Sequence, residues 1–140
     1  MSEPKETLKK KILEEMTVNH TANLEKNFDL AKQFIRITKE GKVDVLVKDR
    51  VSGKEQIMLY LIGKIYAKEA GLAETDEVGN DELMKELGIP VGSLLPWLKE
   101  LRDMNKIRQI RREKKVYHTV PINQIEDVLT ALERKVKKGL

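Results

Sequence analysis

Basic side chains are concentrated in one segment, and this clustering is the clearest chemical signal in the sequence. From Lys99 to His118 there are eight Lys or Arg residues and three Asp or Glu residues, a formal charge of +5. The rest of the chain carries 19 basic and 20 acidic residues, so the whole net charge of +4 depends on this segment. Clustered cations bind polyanions, so the segment predicts contacts with phosphates.

Few residues of the sequence could perform catalysis. The two histidines, His20 and His118, lie far apart, and the chain contains no cysteine. The sequence has no Gly-rich phosphate loop, no spacing typical of zinc ligands and no visible pair of a nucleophile with a base. We therefore expect a binding protein rather than an enzyme, with no metal or other cofactor.

The composition predicts a soluble globular protein. The chain has 140 residues, of which 40% are hydrophobic and 36% are charged, enough for one modest core. Its longest apolar run, residues 57–62, is too short to span a membrane, and its N-terminus lacks the apolar core of a secretory signal. Together with the lack of cysteine, these features predict a cytoplasmic location and no membrane partner.

The first 50 residues show helical and hairpin patterns. Residues 5–34 carry apolar side chains at helical spacing, with a break predicted near residues 17–22. Two β-branched runs then flank Gly41, which can adopt a positive φ in a hairpin turn. We interpret residues 1–50 as an N-terminal extension of helices and a hairpin. The two helical stripes are Leu8, Ile12 and Met16, followed by Leu24, Phe28, Ala31 and Phe34.

A central helix and a short helix are predicted next. Ser52 and Glu55 have the spacing of a capping box, and Gly71 is placed to end the central helix. The apolar residues of this helix fall on more than one face, which predicts cover on two sides. After a loop, Asn80 is the predicted cap of a short helix that ends at Gly88.

The next helix contains Pro96. With Ser93 as its N-cap, Pro96 occupies the third helical position, where its missing N–H would have no partner within the helix. We therefore predict that this helix begins at Leu94 and ends near Asn105. The sequence that follows predicts two short strands around a charged turn at residues 112–114.

A terminal helix is predicted from about residue 122 to residue 138. Asn123 and Glu126 suggest its cap, and an apolar stripe follows. Apolar stripes at both ends of the chain, together with the two-sided central helix, favour a homodimer in which residues 121–140 contribute to the interface. The terminal stripe consists of Ile125, Val128, Leu129, Leu132 and Val136.

The order of helix, short helix, turn, longer helix and basic hairpin over residues 52–120 resembles a winged helix-turn-helix domain, which we place at residues 51–120. The residues that carry the resemblance are NDELMKELGIPVGSLLPWLKELRDMNKI, residues 80–107, in which the short helix ends in Leu-Gly-apolar before a small hydroxyl residue. Apolar positions spaced four and three residues apart follow. The chain is thereby similar to small archaeal transcription regulators. The fold class implied is mainly α with a small β-hairpin wing, that is, α+β.

This resemblance implies a transcription regulator that binds double-stranded DNA, with the longer helix in the major groove and the wing along phosphates. Most implied contacts are to phosphates, because Val91, Gly92 and Pro96 offer a base edge no side-chain donor or acceptor. The residues implied to bind DNA are Ser93, Leu95, Lys99, Arg102, Lys106, Arg108, Arg111, Arg112, Lys114 and Lys115.

Two alternatives stay open at this point. The basic hairpin could be a solvated surface, and the domain could instead dock a protein of the transcription or replication machinery through an apolar patch. Carboxylates near the start of the short helix, among them Glu77, Asp81 and Glu82, would repel phosphates. Trp97 is predicted to pack between its own helix and the wing or the N-terminal extension. The apolar patch would consist of Val91, Leu95, Pro96 and Trp97.

Overall fold

A computed structural model describes residues 4–13 and 20–138 of the chain, which form an α+β fold with two small antiparallel sheets. This agrees with the predicted class. The helices are α1 (Pro4–Lys11), α2 (His20–Lys26), α3 (Phe28–Ala31), α4 (Gly53–Glu69), α5 (Asn80–Leu87), α6 (Val91–Asp103) and α7 (Ile125–Lys138). The strands are β1 (Ile35–Ile37), β2 (Val43–Val45), β3 (Val78–Gly79), β4 (Arg108–Arg112) and β5 (Lys115–Thr119), with 3₁₀ turns at Lys48–Arg50 and Ile122–Gln124.

The hairpin predicted in the N-terminal part is confirmed. Strands β1 and β2 pair in antiparallel register, with Ile35 opposite Val45, and Gly41 takes a φ of +82° in the turn between them. The predicted helical break is wrong for residues 20–22, which begin α2. The rest of that break, and Met16 of the first stripe, lie outside the described residues.

Helix α4 is the centre of the core. Its capping box is confirmed: the Glu55 N–H donates to Ser52 Oγ at 3.2 Å, and the Ser52 N–H donates to Glu55 Oε1 at 2.7 Å. Residues 57–62 are at most 3% exposed, because the β1–β2 hairpin covers one side while α5 and α6 cover another. The predicted two-sided cover of this helix is therefore correct.

A three-stranded sheet of order β3–β5–β4 contains the predicted hairpin and one unexpected strand. Strand β3 is only two residues long, too short for a sequence pattern, and pairs Val78 with His118. The predicted cap at Asn80 is wrong: Gly79 is the N-cap of α5, and the Asn80 side chain bonds instead to His118. Gly88 ends α5 at a φ of +67°, as predicted.

The predicted late start of α6 is also wrong. The N–H groups of Ser93 and Leu94 donate to the carbonyl oxygen of Pro90, at 3.0 and 2.9 Å, so the helix begins at Val91. Pro96 therefore lies inside α6 and cannot donate to the carbonyl of Gly92. Since Gly92 and Pro96 are both exposed, water can donate a hydrogen bond to the Gly92 carbonyl. Pro96 therefore does not prevent the helix from starting at Val91.

Helix α7 closes the core at the end of the chain. Its predicted apolar stripe is confirmed, since Ile125 and Leu129 are fully buried and the helix contacts α3. The predicted cap is wrong, because Asn123 lies inside the 3₁₀ turn that precedes α7. One continuous core joins buried residues of all three predicted segments, 1–50, 51–120 and 121–140.

Trp97 packs on the beginning of α4. A side-chain carbon at Gly53 would lie 2.3 Å from its ring, so the glycine is what allows this contact. Trp97 thus packs within the fold, as predicted, but the contact shown is with α4 and not with the predicted wing or N-terminal extension. Across the described residues, the helices lack the combination of length and apolar content needed to span a membrane.

Candidate nucleic-acid interface

The exposed side of α6 and one face of the β3–β5–β4 sheet form a groove of about 590 Å³, the α6–hairpin groove. Side chains of a strand alternate between the two faces of its sheet, and partners in register share a face. Gln109 and Arg111 of β4 accordingly lie on the same face as His118 and Val116 of β5. The groove is lined by Asn80, Leu95, Pro96, Leu98, Lys99, Arg102, Gln109, Arg111, Val116 and His118.

The α6–hairpin groove has a positive lining. Among its described lining residues three are cationic, Lys99, Arg102 and Arg111, and none is acidic. Lys99 forms an exposed ion pair with Asp103 at 3.2 Å, an interaction weak enough for a phosphate to replace. Within the described part of the chain, the side chains of Arg102 and Arg111 form neither an ion pair nor a hydrogen bond. Both guanidinium groups are available to an anion.

His118 fixes the floor of the groove. It is 1% exposed, and its Nε2 lies 2.6 Å from Asn80 Oδ1, which can only accept a hydrogen bond. The Nε2–H therefore donates, and Nδ1 has no partner among the described residues. Burial, together with the charge of Arg102, lowers the His118 pKa to about 4. A neutral His118 thus joins the sheet to the start of α5 without adding charge.

Arg112 is engaged elsewhere. Its Nε donates to Glu77 Oε2 at 2.8 Å and its Nη2 donates to Glu77 Oε1 at 2.7 Å, which makes a bidentate pair. These hydrogen bonds lower the pKa of Glu77 and raise that of Arg112. The pair anchors the β4–β5 hairpin to the loop before β3, so Arg112 holds the hairpin in place.

Glu82 is likewise neutralised by partners inside the fold. The Tyr60 hydroxyl donates to Glu82 Oε2 at 2.5 Å, and Lys64 Nζ lies 3.4 Å from the same oxygen. Burial and the Glu82 contact raise the pKa of the Tyr60 hydroxyl. The repulsion of phosphates that the sequence predicts for Glu77 and Glu82 is therefore reduced, because each carboxylate already faces a cation.

The ten predicted DNA-binding residues do not share one face. Four lie in the α6–hairpin groove, and Ser93 lies half-buried in the first turn of α6. Three lie on the opposite face of the sheet, because odd and even positions of β4 point in opposite directions. Lys106 faces α7 behind α6, and Lys114 lies near Asp81 and Glu82. The groove residues are Leu95, Lys99, Arg102 and Arg111; the opposite face carries Arg108, Arg112 and Lys115.

Sequence reasoning missed two polar residues of the groove, Gln109 and Asn80. Gln109 could have been found from strand alternation, since it lies two residues from Arg111 in the sequence RQIRR. Asn80 could not, because its role depends on contact with His118, 38 residues away. Gln109 is exposed and is the type of side chain that can bond a base edge.

The apolar residues of α6 form a patch beside the groove. Val91 is 54% exposed and Leu95 48% exposed, and Pro96 also faces solvent. Trp97 is half-buried against Gly53, so it contributes little to this patch. The exposed side of α6 is thus apolar in its first half, and from Lys99 onward it carries charged residues of both signs.

Comparison of the chain with models of protein families, with curated proteins and with solved structures found no match.

Proposed function

We propose that this protein is a cytoplasmic winged helix-turn-helix protein that binds double-stranded DNA and regulates transcription. The observation that supports this function best is the positive α6–hairpin groove. Lys99, Arg102 and Arg111 reach it from a helix and from a hairpin, while the described lining contains no carboxylate. Two elements that present cations to one groove suit the regularly spaced phosphates of a duplex.

The dimensions and chemistry of α6 favour contact with a major groove. A helix of 13 residues is about 20 Å long, and the major groove, about 12 Å wide, admits such a helix. Leu95 can contact a thymine methyl group, while Lys99 and Arg102 bind phosphates. Gln109 is the residue we assign to a base edge. Most of the affinity would then come from phosphates, with little reading of sequence.

The test is a titration of duplex DNA at several salt concentrations, followed by fluorescence anisotropy. Joint replacement of Arg102 and Arg111 by Ala should weaken binding and reduce the salt slope by about 0.9 for each lost phosphate contact. A matched control replaces Lys106 and Arg108, which lie outside the groove and remove the same charge. Absence of binding by the wild type at low salt, or equal losses in both double variants, would refute the proposed interface.

The exposed patch of α6 supports a second function, in which the domain docks a protein partner. Val91 and Leu95 are large apolar residues that remain about half exposed. Neighbouring exposed apolar residues of this kind can mark a site where a partner protein docks. Under this alternative, Leu95→Asp should abolish capture of a partner, whereas the Arg102 and Arg111 replacements should leave it intact.

A further inference from the structure

Helix α1 presents an apolar face to solvent. Leu8 is 60% exposed and Ile12, which continues the helix, is 41% exposed. Their spacing of four residues places them on one face. Helical geometry puts Lys9 and Lys11 on the two sides of this face and Lys10 on the opposite side. Helix α1 is therefore an amphipathic element with a basic border.

A second exposed apolar surface lies on α2, α3 and α4. It is a groove of about 330 Å³, the α2–α4 groove, whose floor is formed by Leu24, Phe28 and Tyr66. The Tyr66 hydroxyl donates to the carbonyl oxygen of Leu24 at 2.7 Å, which holds the floor in one shape. Phe28 is 52% exposed, although it is a large aromatic residue. Glu25 and Glu69 also line this groove.

We propose that α1 of one copy of the chain docks in the α2–α4 groove of a second copy. The two surfaces are complementary, because lysines border the apolar face of α1 and glutamates border the apolar floor of the groove. Leu8 and Phe28 are both exposed within one chain, so α1 does not cover the groove of its own chain. If each copy docks its α1 in the α2–α4 groove of the other, both apolar surfaces become buried in both copies.

This exchange differs from the dimer that the sequence predicts. The terminal stripe on α7 is buried within its own chain, where it is not available to a partner. Leu8 on α1, near the other end of the chain, is instead 60% exposed. The inference goes beyond DNA binding and does not depend on it, since no residue of the α6–hairpin groove takes part.

Cross-linking tests the proposed contact directly, since the chain contains no cysteine and single thiols can be introduced cleanly. A full-length chain carrying Leu8→Cys is mixed with a mass-tagged full-length chain carrying Phe28→Cys, and a short bismaleimide is added. We expect a covalent heterodimer as the main product. Lys10→Cys is the matched control: it lies on the opposite face of α1 and should give little product with the same partner.

Sedimentation velocity measures the strength of the association. Leu8→Asp should raise the dimer Kd by roughly tenfold or more, because it removes a buried leucine from the interface. Since Leu8 is exposed in the single chain, this variant cannot act by unfolding the core. Exchanging charges in Glu25→Lys/Glu69→Lys should also weaken the dimer, and adding Lys9→Glu/Lys11→Glu should restore it.

Three outcomes would overturn the proposal. One is a monomeric wild type at concentrations of tens of micromolar. Another is a cross-link that forms only within a chain carrying both Leu8→Cys and Phe28→Cys and never between mixed chains. The third is binding of α1 to vesicles of anionic phospholipid that depends on Leu8 while the heterodimer is absent, which would assign the basic amphipathic face to a lipid surface.

Discussion

The same substitution at two helical glycines should have opposite effects on stability. Gly63 lies in the middle of α4, beneath the β1–β2 hairpin. A side-chain carbon at this position would lie 2.4 Å from Val43 Cγ1 and 2.9 Å from Ile35 Cγ2. Gly92 lies in the first turn of α6, and a side-chain carbon there would meet no atom within 4 Å among the described residues.

The expected magnitude for Gly63→Ala follows from two opposing terms. Alanine favours the helix over glycine by about 1 kcal/mol. Overpacking a tight core costs about 1 to 3 kcal/mol, and the upper part of that range applies because the β-branched side chains of Val43 and Ile35 are stiff. We expect the free energy of unfolding to fall by about 1 to 2 kcal/mol. Gly92→Ala should instead raise it by up to about 1 kcal/mol.

Urea unfolding followed by circular dichroism measures both effects. With a typical slope for a small domain, Gly63→Ala should lower the urea midpoint by about 0.5 to 1 M, and Gly92→Ala should raise it slightly. An error common to both measurements would not change the expected result that the two midpoints shift in opposite directions. If Gly63→Ala stabilises the protein as much as Gly92→Ala does, the β1–β2 hairpin does not pack on α4 as described.

Two further predictions concern His118 and Asp103. Because the folded pKa of His118, about 4, lies below its ordinary value of 6.5, the unfolded chain takes up the proton first. The wild type should therefore lose up to about 3 kcal/mol of stability as the pH falls from about 6.5 to 4. Urea unfolding at pH 7 and at pH 4.5 should show a smaller loss for His118→Leu. An identical pH dependence of the two proteins would contradict the burial of His118. Asp103→Asn should release Lys99 and tighten duplex DNA binding about twofold at low salt, since the free energy of an exposed helical ion pair corresponds to about that change in affinity. Unchanged affinity in anisotropy titrations would exclude Lys99 from the interface.

Local signals predicted most of the secondary structure. The capping box at Ser52, the turns at Gly41 and Gly88 and the apolar stripe of α7 each depend on residues close together in sequence, where the physical preference acts directly. The predictions of helix starts were wrong where another backbone or side-chain contact was stronger than the local capping preference. Ser93 is a good cap by type, but the carbonyl of Pro90 accepts two N–H groups and starts α6 one turn earlier.

The distribution of the basic residues over two faces depends on tertiary structure and not on local sequence. The sequence alone determined that the positive charge lies in residues 99–118 and that a helix and a hairpin carry it. It did not determine which cations meet, because that depends on how the β4–β5 hairpin is oriented toward α6. The Arg112–Glu77 and His118–Asn80 pairs join the hairpin to the segment that precedes and begins α5, and each pair connects residues more than thirty positions apart.

The chain sequence therefore determined the elements and the total charge, since helical and strand preferences and ionic state are properties of residues and their near neighbours. Only the tertiary structure decided that Lys99, Arg102 and Arg111 share a groove while Arg108 and Lys115 face away. The physical reason is that a strand has two faces, and packing against the rest of the fold selects which of them meets α6.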